Sequence, residues 1–221
     1  MKICVIIPCY NESENIAQLI KGILRHKMDV LVIDDGSTDN TSSRATDAGA
    51  LVLRNNKNEG KGASLIKGFS YAYEKGYDAI MTMDGDGQHL PQDIPIFIKA
   101  YQSGESIVIG NRMHQKEKMP LSRFLTNKFM SWLISLITGQ NIPDSQCGFR
   151  LIRKDLLKKT TLKANKYEIE SEILLLAAKL GYKIVSVPVT TVYNGAKSRI
   201  NPLVDTFRFV GFIARYLWHH H

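Results

Sequence analysis

Apolar positions in the first half of the chain follow two alternating patterns. "ICVIIP" (3–8), "VLVID" (30–34), "LVLRN" (51–55), "DAIMTMD" (78–84) and "SIVIG" (106–110) are short, β-branched, near-continuous apolar runs. Between them, apolar residues recur three and four apart. In "SENIAQLIKGILRH" (13–26), Ile16, Leu19, Ile20, Ile23 and Leu24 share one helical face. Ser13 or Asn11 is placed to cap its start. "TSSRATDAG", "GASLIKGFSYAYEKG" (62–76) and "IPIFIKAYQSG" (94–104) read as further helices, the second closed by Gly76. Strands apolar on both faces and alternating with helices predict an α/β fold, a mostly parallel central sheet with helices on both faces.

The second half is less regular. A helix is expected over roughly 121–138, and "CGFRLIRKDLL" (147–157) reads as a strand running into a helix. "EIESEILLLAAKLG" (168–181) is a helix stopped by Gly181. "YKIVSVPVTTVY" (182–193) is a strand whose Pro188 points to an edge position or a bulge. The last helix begins near Pro202. With no repeat, low-complexity tract or linker, the expectation is one domain over 1–221. Within it the pattern separates residues 1–110, residues 111–200 and a C-terminal helix over 201–218.

In parallel sheets ligands bind beyond the carboxyl ends of the strands. Polar clusters recur at those ends here: "PCYNE", "DDGSTD" and "DGDGQ". Asp84 and Asp86, two residues apart around glycine, suit a hard divalent cation such as magnesium or manganese. A glycine-rich turn with aspartates capping local amides is the plainer reading. A calcium loop counted from Asp84 fails, because His89 and Pro95 stand where Gly and Glu belong. A phosphatase of the aspartyl-phosphate kind would carry its pair at the first strand, not the fourth. "NEGKGAS" (58–64) lacks the first glycine and the Ser/Thr of a P-loop. Tyr10 can lie against a base, Glu12 can accept from base or ribose, and Asp35 can accept from a base N–H. Singly each is explained by capping or a turn; three acidic clusters at successive strand ends are harder to explain that way.

Composition narrows the classes. The chain has 221 residues, 44% of them apolar and 23% charged, as expected of an ordered globular protein. Its net charge of +8 is unevenly spread. Residues 1–110 carry 11 Lys and Arg against 14 Asp and Glu; residues 111–221 carry 18 against 7. The basic second half suits a phosphate-bearing or membrane-surface partner, or simply solvated helix faces. Cys4, Cys9 and Cys147 have no metal-ligand spacing and read as buried thiols of a cytosolic protein. "KICVIIP" at the start shows no signal peptide. "FMSWLISLI" (129–137) is too short to span a bilayer, and Arg208 and Arg215 interrupt "FRFVGFIARYLW" (207–218).

Together "VIIPCYNESENI", "VIDDGSTDNT", "NEGKGASLIKGF", "MDGDGQHLPQDI", "GNR" (110–112), "DSQCGFRLI" and "YKIVSVPVTTVY" resemble the ordered motifs of family 2 glycosyltransferases, over residues 3 to about 215. The similarity is greatest to the dolichol-phosphate mannose synthase-like, polyprenol-phosphate branch. The resemblance implies a GT-A (Rossmann-like) fold and inverting transfer of mannose or glucose from a GDP- or UDP-hexose to a polyprenyl or dolichyl phosphate. It implies a magnesium or manganese ion on Asp84, Asp86 and Gln88, and a nucleotide-sugar site of Pro8, Tyr10, Glu12, Asp35, Lys61 and Asp84. Asp86, Arg112 and Arg123 are then the catalytic candidates. Arg112 and Arg123 suit the acceptor and donor phosphates, because guanidinium pairs bidentately with phosphate. Ser198 and Arg199 match a family Ser-Lys stretch, with Arg where Lys is commoner. A lipid phosphate is already an anion and needs no general base. A carbohydrate-hydroxyl acceptor, the alternative, would need one, and Glu170 and Glu172 are the candidates, although both also suit a helix start. Many relatives carry transmembrane helices that this chain lacks. The expected location is therefore cytoplasmic, peripheral at a membrane surface or on a small membrane-anchoring subunit. A sugar nucleotidylyltransferase would need a basic glycine-rich loop after the first strand, which "PCYNESEN" does not supply. A nucleic-acid partner is not expected.

Overall fold

The computed structural model describes residues 1–192 and 202–220. Seven strands form one sheet: β1 (Ile3–Cys9), β2 (Asp29–Asp34), β3 (Leu51–Arg54), β4 (Ala79–Thr82), β5 (Ile107–Asn111), β6 (Arg150–Arg153) and β7 (Ile184–Pro188). The helices are α1 (Ile16–Leu24), α2 (Thr41–Asp47), α3 (Lys61–Glu74), α4 (Ile94–Gln102), α5 (Leu121–Thr138), α6 (Lys154–Lys158), α7 (Ile169–Lys179) and α8 (Pro202–His220). The strand order is β3-β2-β1-β4-β6-β5-β7. Only β6 runs antiparallel, against both β4 and β5. Pro188 ends β7, which pairs with β5 alone at the sheet edge, where a missing N–H is harmless.

The apolar runs are long because both faces of the sheet are covered. Along β1, Ile3, Val5, Ile7 and Cys9 point into one apolar core with Ile16, Ile20 and Phe97. Cys4 and Ile6 point into the other, with Leu65, Ile134, Leu174 and Phe209. Alternation with period two divides the strand between two layers of helices. All three cysteines are buried and unbridged.

The first helix corrects a capping expectation. It starts at Ile16 behind Asn15, with no side-chain cap. Asn11 and Ser13 serve the neighbouring turn instead. Thr38 N–H donates to Asn11 Oδ1 (2.8 Å), and Ser13 N–H donates to Asp39 Oδ2 (3.2 Å). Both residues have partners in the turn after β2, which a sequence window around α1 cannot contain.

Candidate active site

The strand order reverses at β1, which lies between β2 and β4. A crevice therefore opens beyond the carboxyl ends of these strands. A cavity of about 440 Å³ lies at the opposite ends, lined by Lys2, Met28, Asp29 and Pro95 among others. None of the clustered polar groups lies there, so the crevice is the better candidate.

Buried carboxylates build the crevice walls. Asp34 accepts Ser37 N–H (2.8 Å) and the Ser42 hydroxyl, fixing the turn after β2. Asp35, expected at the donor base, is buried with both oxygens engaged. Its Oδ1 accepts from Asn55 Nδ2 and Glu59 N–H (both 2.9 Å), and its Oδ2 from Gly60 N–H (2.8 Å). It thus holds the loop leading to α3. Pro8, Tyr10 and Glu12 sit half-buried at the end of β1. Glu12 N–H donates to Thr41 Oγ1 (2.9 Å).

Lys61, the first residue of α3, joins the two halves of the chain. Its Nζ lies 2.5 Å from Asp84 Oδ1 and 2.7 Å from Glu170 Oε1. The glycines on either side explain its position. Gly60 has φ +101°, and a Cβ there would meet Asn165 O at 2.5 Å; one on Gly62 would meet the Asn165 carbonyl carbon at 2.5 Å. The N–H groups of Gly62 and Ala63 donate to Asn165 O (3.0 and 3.2 Å), which satisfies the start of the helix. Glu172 holds that 162–166 loop from behind, with its carboxylate accepting Lys163 and Ala164 N–H (2.9–3.0 Å). The two glutamates weighed as bases therefore divide. Glu170 faces Lys61 in the crevice, and Glu172 clamps a loop.

Asp84 sits against bare backbone. A Cβ on Gly148 would lie 2.6 Å from its Oδ2. Its N–H donates to Nδ1 of buried His89 (3.2 Å), whose Nε2 is 3.8 Å from its Oδ2. Burial would raise the Asp84 carboxyl, but Lys61 first, with Arg112 adding to it, outweighs burial and holds the group well below the usual carboxylate range. Burial would likewise lower the Lys61 ammonium, but Asp84 and Glu170 outweigh it and push it well above its ordinary value. Both are charged at neutral pH. His89 is pushed down, by burial first, and is neutral.

The metal expectation can be tested on these donors. Among the described residues there is no group of three or more His, Cys, Asp or Glu able to hold an ion. An ion shared with a substrate diphosphate needs only one or two carboxylates. Asp84 and Asp86 fit that requirement. Asp86 is half-buried on the same loop, and its Oδ1 accepts Gln88 N–H (3.0 Å), which brings Gln88 alongside. The donors are hard oxygens, as magnesium or manganese prefers.

Arg112 is placed differently from its sequence expectation. It is buried, and its Nε and Nη2 fork onto buried Asp144 (2.7 and 2.9 Å), which also accepts its N–H (3.0 Å). Burial would raise the Asp144 carboxyl, and the guanidinium overrides it and lowers it. A buried cation needs such a partner, so the fork expected on a phosphate is closed on protein. Arg123 is half-buried near the start of α5, with no partner among the described residues. Ser198 and Arg199 lie outside the described residues.

Comparison with known proteins names the fold and the family. The sequence model "Glycosyl transferase family 2" matches residues 4–161. The chain belongs to family 2 of the glycosyltransferases. It is 32% identical over 216 residues to a UDP-N-acetylglucosamine–dolichyl-phosphate N-acetylglucosaminyltransferase of Methanococcus voltae, covering 87% of this chain and 86% of that one. It is 36% identical over 210 residues to an undecaprenyl-phosphate mannosyltransferase of Micrococcus luteus, covering 87% and 84%. Among solved structures, glucosyl-3-phosphoglycerate synthase from Mycobacterium tuberculosis, in complex with Mn2+, UDP and glucosyl-3-phosphoglycerate, shares the fold. The TM-score is 0.72 at 20% identity, over 94% of this chain and 75% of that one. The protein is a glycosyltransferase with a GT-A fold.

Four features of this glycosyltransferase were missed from sequence: the Glu170–Lys61 pair, the Glu172 clamp, Asp144 beneath Arg112, and Arg150. The Arg150 guanidinium is buried and donates to the carbonyls of Cys147, Glu170 and Ser145 (2.5–2.8 Å), tying β6 to α7. The only sequence signal was a charged residue inside an apolar run.

Proposed function

We propose that the crevice transfers a hexose, mannose or glucose, from a GDP- or UDP-linked donor to a polyprenyl phosphate, with inversion at the anomeric carbon. One observation carries the reading. Asp84, Asp86 and Lys61 converge beyond β4 at the reversal of strand order, in a chain whose relatives are named for sugar transfer to dolichyl and undecaprenyl phosphates. Asp84, Asp86 and Gln88 would hold magnesium or manganese. Such an ion stabilises the charge that develops on the leaving nucleoside diphosphate. Lys61 places an ammonium beside the same position. A phosphate oxygen of the acceptor attacks the anomeric carbon as its bond to the donor diphosphate breaks, and the bonding pair leaves with the nucleoside diphosphate. No proton is transferred, because the attacking oxygen is already anionic. Arg123 is the guanidinium available to that acceptor, and Arg112 adds positive charge felt at Asp84.

The test is incubation with manganese, a panel of nucleotide hexoses and a short, soluble polyprenyl phosphate. One donor is expected to give a glycolipid, and Asp86→Ala to abolish it. Transfer to a sugar hydroxyl with no lipid product would overturn the lipid reading in favour of the alternative acceptor. Glu170, in the crevice, would then be the first base to mutate.

A further inference from the structure

Lys61 reaches two elements that lie far apart in the chain. Its Nζ touches Asp84 Oδ1, on the loop after β4, and Glu170 Oε1, in the first turn of α7. The Lys61 side chain is 17% exposed and that of Glu170 7%, so the pair is closed off from most solvent. Lysine carries a point charge on a flexible four-carbon stem. A fixed ammonium position therefore needs anchors on more than one side. Asp84 alone is a poor anchor, because in the function proposed above it also serves the divalent cation. Glu170 is held better. The buried Arg150 guanidinium donates to the Glu170 carbonyl and, through its other nitrogens, to the carbonyls of Cys147 and Ser145 (2.5–2.8 Å). The Glu170 N–H donates to Tyr167 O (3.3 Å). Neighbouring Glu172 is spent on the N–H groups of Lys163 and Ala164.

We propose that Glu170 is a positioning residue that acts through Lys61, holding the ammonium where the donor diphosphate leaves. This rests on the donor reading above and deepens it. Lys61 meets the diphosphate because a carboxylate 109 residues further along the chain sets its place. An ammonium has three hydrogens. Two go to Asp84 and Glu170, which leaves a third for a phosphate oxygen. The pairing also serves the anionic donor in a second way. A buried carboxylate without a cation beside it would repel a diphosphate, and Lys61 cancels that charge. The same contact separates Glu170 from the role of a base. A general base offers a lone pair to the proton of the attacking hydroxyl, whereas the Glu170 oxygen in the crevice is given to an ammonium at 2.7 Å.

The test separates position from charge. Glu170→Asp keeps the carboxylate but shortens its reach by one methylene, which draws Lys61 away. Calorimetry measures the binding of UDP and of GDP, each with manganese and without acceptor, and turnover is measured with a short, soluble polyprenyl phosphate. Whichever diphosphate the wild type binds, Glu170→Asp should bind it about tenfold more weakly, the equivalent of about 1.4 kcal/mol. In a Lys61→Met background the same substitution should change that affinity by no more than about twofold, because the residue it acts through is gone. A second measurement reads the pair without any ligand. Lys61→Met leaves buried Glu170 without its cation and should lower the melting temperature, and adding Glu170→Gln should recover part of that loss. Three results would overturn the inference: equal weakening by Glu170→Asp in both backgrounds, a loss of turnover in Glu170→Asp with diphosphate affinity unchanged, as a base would give, or no recovery of melting temperature in Lys61→Met/Glu170→Gln. A wild-type protein that binds neither UDP nor GDP would overturn the donor reading itself, and the inference with it.

Discussion

The crevice beyond β1 and β4 and the outer face of α5 invert the usual arrangement of a soluble domain in opposite senses. The crevice buries charge: Asp35, Arg112, Asp144, Arg150 and Glu170 are nearly inaccessible. The outer face exposes Leu121, Phe129 and Trp132. Buried polar groups and exposed apolar patches are the two observations that carry functional information. The difference lies in what completes each region. Every buried charge in the crevice has a partner within the chain, so the crevice is rigid before any substrate arrives. The apolar side chains on the outer face of α5 have no cover among the described residues. Substitutions in the crevice should therefore cost activity and stability in the isolated protein, whereas those on the outer face should cost almost nothing.

Among substitutions that leave both aspartates in place, the largest effect is expected at Gly148. Alanine there would set a Cβ about 2.6 Å from Asp84 Oδ2 and displace the carboxylate. Transfer should fall about 100-fold, as misplacements of about an ångström do, with the far-ultraviolet circular dichroism unchanged. Wild-type turnover in Gly148→Ala would mean that the position of Asp84 is not what the crevice preserves.

Arg112→Lys sharpens the question of rigidity. Lysine keeps the charge but cannot fork onto Asp144, and losing one charge-assisted hydrogen bond of the fork costs about 2 kcal/mol. Urea unfolding measures it. The pair also sets an acid dependence. Asp144 has its folded value lowered, so its stabilisation is complete above the ordinary carboxylate value of about 4 and is lost as pH falls below it. Asp144→Asn should flatten the pH dependence of unfolding in that acid window. An unchanged slope would place the acid sensitivity elsewhere.

Glu172→Ala removes the acceptor for Lys163 and Ala164 N–H and should cost about 2 kcal/mol. Glu172→Gln retains one carbonyl oxygen and should cost less. Because that loop seats Gly62 and hence Lys61, the alanine variant should also raise the donor KM. A stability loss without a KM change would make the clamp purely structural. The smallest effect is expected on the outer face, where Trp132→Ser should change stability by no more than about 0.5 kcal/mol. A loss as large as that of Arg112→Lys would show that the outer face of α5 is covered within an assembly.

The same contrast explains what was legible in the sequence. Strands β1, β2, β4 and β5 were readable because burial on both faces writes a local apolar run; β3, at the sheet edge, carries a similar run although it is partly exposed. The aspartates at 84 and 86 were readable because the end of a strand is also a local feature. The Lys61–Glu170 pair spans 109 residues and the Arg112–Asp144 pair 32, so no window contains both members. The antiparallel course of β6 was illegible for a related reason, since its apolar pattern is the same in either direction. The exposed apolar positions on α5 were visible in the sequence. "FMSWLISLI" was weighed by length against a membrane span, and which of two apolar faces is buried is decided only by packing on the sheet.

Transfer to a phosphate oxygen with inversion would leave its mark on the anomeric centre of the product. The most direct measurement is nuclear magnetic resonance of the anomeric centre in the glycolipid made from an α-linked nucleotide hexose. A β-linked sugar is expected, with the anomeric proton coupled to phosphorus. An α-linked product, or an anomeric proton with no phosphorus coupling, would contradict it.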